Sequence, residues 1–160
     1  MAIAVGGDMF SAEASVTPST TAYDAGDAMG GRLTFSFINP FDEGGGLIVS
    51  SVLMDRKKDN SSLTLTLFDK AISTGGSTVT DNAALAIGDT DLSHAIGAIT
   101  FSTGDYVSYN ATSIAFDNSQ VGYYIENGRT LYGCLRVNGT PTCTSGNSIT
   151  VKLFAQREPF

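Results

Sequence analysis

The sequence predicts an all-β protein, an antiparallel β-sandwich of about eight to ten short strands with one or two short helical turns near residues 81–96. Three observations carry this. Apolar residues alternate with period two in several segments. Clusters of Gly, Asn, Asp and Pro separate those segments at the spacing of an all-β fold. Charged residues make up only 16% of the 160-residue chain, against roughly 25% in average soluble domains. The hydrophobic content of 42% is enough for one buried core.

The chain divides into an N-terminal arm or first strand, residues 1–30, and a β-sandwich domain, residues 31–160. In the first part "SAEASVTPS" reads as a strand, and the ends around it read as an arm lying on a neighbour. Beyond it "RLTFSFIN" sets Leu33, Phe35 and Phe37 on one face, with Thr34, Ser36 and Ile38 on the other. "SLTLTLFD" does the same with Leu63, Leu65 and Leu67, and "SITVKLFAQ" with Ile149, Val151 and Leu153. Such alternation marks strands with one buried and one wet face. "GLIVSSVLMD" is more continuously apolar, as a central strand or one covered on both faces would be. "IGAITFS", "YVSYN", "SIAFD", "VGYYIEN" and "RTLYGCLRVN" complete the strand set. "NPFDEGGG", "KKDNSS", "STGGST", "STGD", "ENGR" and "VNGTP" are the turns between.

The period changes in "DNAALAIGDTDLSHAIG", residues 81–97, which holds three aspartates and the only histidine. Asp81 and Asp89 are placed as helix starts, Asp91 lies in a first turn, and Gly97 follows as a stop. Leu92 and Ile96 share a face at i, i+4 and, with Leu85, are expected to anchor two helical turns. His94 is expected at the surface on the last turn. Asp89, Asp91 and His94 are metal-ligand types, but Asp89 and Asp91 do not face the same way in a helix. No second histidine or calcium-loop pattern accompanies them, so no metal is expected.

Catalytic chemistry has little to stand on. Nucleophilic catalysis by serine or cysteine would depend on His94, and no nucleophile-elbow or cysteine-protease pattern occurs. Glutamates number four, Glu13, Glu43, Glu126 and Glu158, and nothing in their spacing marks the carboxylate pair that sugar hydrolysis needs. Gly44-Gly45-Gly46 precedes a strand rather than a helix, unlike a phosphate-binding loop. The expectation is a protein that is not an enzyme, with no catalytic, cofactor-binding or metal residue. The net charge of −7, with nine Lys and Arg, disfavours nucleic acid. The basic run Arg56-Lys57-Lys58, flanked by Asp55 and Asp59, reads as a solvated hairpin tip. No segment has the apolar length of a membrane span. The first fifteen residues lack the n- and h-regions of a secretory signal, so synthesis in the cytosol is expected. On that ground the sequons at Asn60, Asn110 and Asn138 are read as coincidence.

Cys134 and Cys143 admit two arrangements. A two-residue Asn138-Gly139 turn would set them opposite each other at a non-hydrogen-bonded position, where a disulfide could form in an oxidising environment. A long loop over 138–147 would leave two free thiols, and that reading is preferred. Tyr106, Tyr109, Tyr123 and Tyr124 serve equally well as a binding face or as caps on the sandwich ends.

"GGGLIVSSVLMDRKKDNSSLTLTLFDK", "TVTDNAALAIGDTDLSHAIGAITFSTGDY" and "GRTLYGCLRVNGTPTCTSGNSITVKLFAQRE", in that order from about Gly30 to Glu158, resemble small virion structural proteins of tailed bacteriophages. The resemblance implies a jelly-roll-like capsid decoration or cement protein on the outside of the head, stabilising the shell by bridging capsid subunits. It implies the major capsid protein as partner, no cofactor, and no site residue to carry over. Self-association as a dimer or trimer is expected as the way to multiply weak contacts. The alternative is a head-fibre or tail-associated β-sandwich that binds carbohydrate or a host surface.

Overall fold

The computed structural model of the protein describes residues 9–37, 44–125 and 130–157. The outer part of the expected arm and the turns at 39–43 and 126–129 lie outside the described residues. Within them the strands are β1 (Met9–Val16), β2 (Ala28–Ser36), β3 (Gly44–Asp55), β4 (Leu63–Phe68), β5 (Ala95–Phe101), β6 (Tyr106–Tyr109), β7 (Thr112–Asp117), β8 (Val121–Ile125), β9 (Thr130–Val137) and β10 (Ile149–Arg157). A single helical turn, α1 (Asp89–Leu92), precedes β5, and a 3-10 turn over Thr103–Asp105 precedes β6. One sheet has the order β1-β10-β3-β7-β6, with β8 also on β3; the other has the order β2-β9-β4-β5.

The pairing is nested. β1 lies antiparallel to β10, β2 to β9, β3 to both β7 and β8, and β4 to β5. The chain is therefore one long hairpin whose arms, wound together, close into two sheets where β10 meets β3 and β9 meets β4. This is the jelly-roll arrangement, which buries one face of each sheet against the other. β7 and β8 act as two halves of one interrupted strand, the first against Ser51–Asp55 and the second against Gly44–Ile48.

The interior is built from the residues that alternation selects. Leu33, Phe35, Phe37, Leu63, Leu65, Leu67, Ile149, Val151 and Leu153 are all buried in one cluster with Ile48, Leu53, Leu131 and Leu135. β3 is central, as its apolar run predicts, but it carries a bulge. Ser50 pairs with Phe154 and Ile48 with Ala155, so Val49 is the extra residue. The bulge lets Ile48 and Ser51, three apart, both point inward. A second bulge in β2 sets Gly30, Gly31 and Arg32 against the single residue Cys134.

Several expectations are corrected. Arg56–Lys58 is not a hairpin tip, because β3 and β4 belong to different sheets and the turn crosses between them. β9 and β10 are likewise in different sheets, so Asn138-Gly139 joins no hairpin. Cys134 lies on the outer face of its sheet and Cys143 in the central core, and both thiols are free, as the preferred reading expects. Burial pushes each thiol up to about 11. The segment 81–87 forms no helix. Its backbone bonds instead to the start of β2, through Ala28 N–H to Ala83 O, Asn82 N–H to Ala28 O and Leu85 N–H to Gly26 O.

Candidate functional site

The segment between β4 and β5, residues 69–94, holds the aspartates and histidine that the sequence singles out. It folds back over the outer face of the β2-β9-β4-β5 sheet. Ile72 and Val79 close over Phe68, Ala28 and Cys134, with Leu85, Ile87 and Tyr132 at the margin. A small second core thus lies outside the sandwich, and it explains why Phe68 breaks the alternation of β4 yet is fully buried.

Asp91 is the centre of this lid. Its Oδ2 accepts from the Ser73 backbone N–H at 3.1 Å, from Ser73 Oγ at 2.8 Å and from Ser77 Oγ. Ser77 Oγ in turn accepts from Gly88 N–H at 2.9 Å. The Ser77 and then the Ser73 hydroxyl hold the Asp91 carboxyl below its usual range, against the opposing effect of burial, and Arg32 adds to the lowering. Arg32 reaches out of the β2 bulge and donates to Ile72 O, Ser73 O and Ser77 O at 3.1, 2.7 and 2.9 Å. Those carbonyls would otherwise lie unpaired in a loop without regular structure.

Asp81 serves the other end of the segment. Its Oδ1 accepts from Tyr23 Oη and from Gly30 N–H, each at 2.6 Å. Tyr23 is buried, and burial together with that carboxylate raises its pKa far above the ordinary phenol value. Asp81 therefore fixes the β2 bulge rather than starting a helix. Asp89 is exposed, and α1 is capped by Gly88 without any side-chain hydrogen bond. Leu92 is 49% exposed and anchors nothing. The chain enters β5 at Ala95, so Ile96 is a strand residue packed on the central core and Leu85 belongs to the outer one. Gly97 is no helix stop but a strand residue where a Cβ would stand 2.7 Å from Val121 Cγ1. His94 Nδ1 lies 2.9 Å from Asp69 Oδ1, with about a third of each side chain exposed. Asp91 faces the serines and His94 faces Asp69, so the candidate metal set is not assembled.

A second polar cluster ties the end of the sandwich. Asp55, wholly buried at the end of β3, accepts from Lys57 N–H, Asn60 N–H and Asn147 Nδ2 at 3.1, 2.7 and 3.0 Å. Asp59 accepts from Thr144 N–H, Thr144 Oγ1 and Asn147 Nδ2 at 2.9, 2.7 and 2.7 Å. These carboxylates face N–H and O–H donors, the opposite of what a cation site needs. They staple the 55–60 crossover to the 138–148 loop.

The tyrosines divide. Tyr106 turns inward and donates to Ser61 O at 2.7 Å, with burial raising its pKa well above the usual value. Tyr123 stacks parallel to Phe37 at 6.4 Å. Tyr109 is exposed, and the Tyr124 side chain lies outside the described residues. An open groove of about 310 Å³ runs past Ser11, Ala12, Glu13, Ser36 and Lys152, polar where small-molecule sites are mostly apolar. Among the described residues no three of His, Cys, Asp and Glu converge as a metal site.

Sequence reasoning missed Arg32, Ser73, Ser77, Tyr23 and Asn147. Each acts on a partner distant in the chain, such as Tyr23 on Asp81 or Asn147 on Asp55. The one local signal was their turn-rich setting. No protein-family model matches the chain, and no curated protein matches it significantly.

Proposed function

We propose that this is a virion structural protein, a decoration or cement protein that binds the outside of a bacteriophage head and stabilises the shell by bridging capsid subunits. The observation that carries the reading is the ordered resemblance from about Gly30 to Glu158, which falls on a closed jelly roll. The same fold serves many functions, so it supports the reading only together with the site chemistry. That chemistry is structural: Asp55, Asp59, Asp81 and Asp91 each accept hydrogen bonds that fasten loops. A protein whose loops are tied down in this way suits a rigid surface clamp. Low charge leaves few ions to desolvate at a contact, and net acidity suits the outer side of a shell better than the side facing DNA.

The test adds purified protein to phage shells lacking it. Saturable binding to the head and a raised shell melting temperature are expected. Absence of binding with unchanged shell stability overturns the proposal. A handful of copies confined to the tail, together with glycan binding, would favour the carbohydrate- or host-surface-binding alternative.

A further inference from the structure

The two sheets differ on their outer faces. The β2-β9-β4-β5 sheet is covered by the chain's own segment 69–88 around its second core. The other sheet has no such cover among the described residues. Its register places Val52 beside Phe116, and Met54 and Val107 on either side of Ile114, all facing outward while Leu53 and Ala115 face the core. Met9 (56%), Val107 (48%), Tyr109 (55%) and Phe116 (54%) are exposed on this one face. They are four of the five large exposed apolar side chains among the described residues, the fifth being Leu92. Val107, Tyr109 and Phe116 cluster with Val52, Met54 and Ile114 across β3, β7 and β6, whereas Met9 stands at the opposite corner beside Gln156. Such a cluster marks a contact surface, since isolated exposed apolar residues scatter.

We infer that this face is a self-association surface, on which a second copy of the chain stacks sheet to sheet about a twofold axis. Charge favours a second copy. The chain carries −7 overall, a repulsion between copies that salt screens beyond about 10 Å, so what decides is whether the contact itself pairs opposite charges. The charged side chains that the register puts on this face are Glu13 and Lys152, directly opposite each other on β1 and β10. Lys152 Nζ also lies 5.2 Å from the Phe154 ring centroid. A twofold contact uses the same patch on both copies, so Glu13 of one protomer can meet Lys152 of its partner, and the reverse. Area favours it too. Five strands of about eight residues span roughly 24 by 26 Å, or ~600 Å² in projection. Side-chain relief raises the accessible area toward the ~800 Å² per partner of a standard interface. The inference does not depend on the cement reading.

The test measures the mass of the purified full chain by sedimentation and light scattering across a concentration range, without shells. A monomer–dimer equilibrium is expected. Phe116→Thr combined with Tyr109→Thr, two changes to a residue type that suits strands, should leave a folded monomer, with melting followed in parallel. Glu13→Lys and Lys152→Glu should each weaken the dimer by roughly tenfold, a change of about 1.4 kcal/mol. An equimolar mixture of those two variants should associate more tightly than either alone. Contacts within one chain cannot produce that rescue. A monomer at every concentration, a dimer indifferent to the threonine changes, or a mixture no tighter than its parents overturns the inference. So does a dimer unaffected by the threonine changes in a variant that has lost shell binding, which would assign the face to the shell.

Discussion

Asp91 stays charged beneath a loop because three donors from Ser73 and Ser77 converge on one of its oxygens. Its folded pKa is therefore lower than in the unfolded chain. A lowered carboxyl binds its proton less readily when folded, so its contribution is fully present above the unfolded value of about 3.9. That contribution is lost as pH falls through the lower folded value. Asp91→Asn should lower the melting temperature at neutral pH, and the gap from the parent protein should narrow below about pH 4. Thermal unfolding from pH 2 to 7 reads this directly, and a gap that stays constant with pH would show that charge at Asp91 is not what fastens the loop. The sequence marked Asp91 as notable but gave it the wrong partners. Helix-dipole logic looked one turn away, whereas the donors sit 14 to 18 residues back in the chain.

At the level of elements, the strands were legible and the crossovers were not. Period-two alternation found the buried faces of β2, β4 and β10, since a strand with one wet side must alternate. It did not find the β2 bulge, where Gly30 takes a φ of +72° and Asp81 accepts its N–H. A Cβ at Gly30 would stand 2.4 Å from Val16 Cβ, whereas one at Gly31 would meet nothing within 4 Å. Gly30→Ala should therefore cost about 2–4 kcal/mol through backbone strain and overpacking, and Gly31→Ala less than about 0.5 kcal/mol. Equal effects in urea denaturation would mean that the bulge does not constrain the fold. The 81–87 segment shows the same limit. Its Ala-Ala-Leu content suits a helix, yet its backbone groups find partners at Gly26 and Ala28, and tertiary pairing overrides weak local preference.

Across the whole molecule, the nested topology joins the two ends of the chain. Met9 pairs with Gln156 and Val16 with Ile149. β1 and β10 cannot pair until the ends of the chain come together, so loop-closure entropy is lost before those contacts form. Refolding from denaturant, followed by stopped-flow fluorescence of the tyrosines, should take milliseconds to seconds rather than microseconds. Microsecond relaxation would contradict a folding barrier set by these long-range pairs.

The sequence by itself determined the all-β class, the strand positions and which side chains face the core, because alternation and turn residues act over a few neighbours. Only the tertiary structure decided which strands pair, what the aspartates do and which outer face the segment 69–88 covers. Those outcomes depend on groups far apart in the chain, brought together by burial and by the need to pair every buried donor and acceptor.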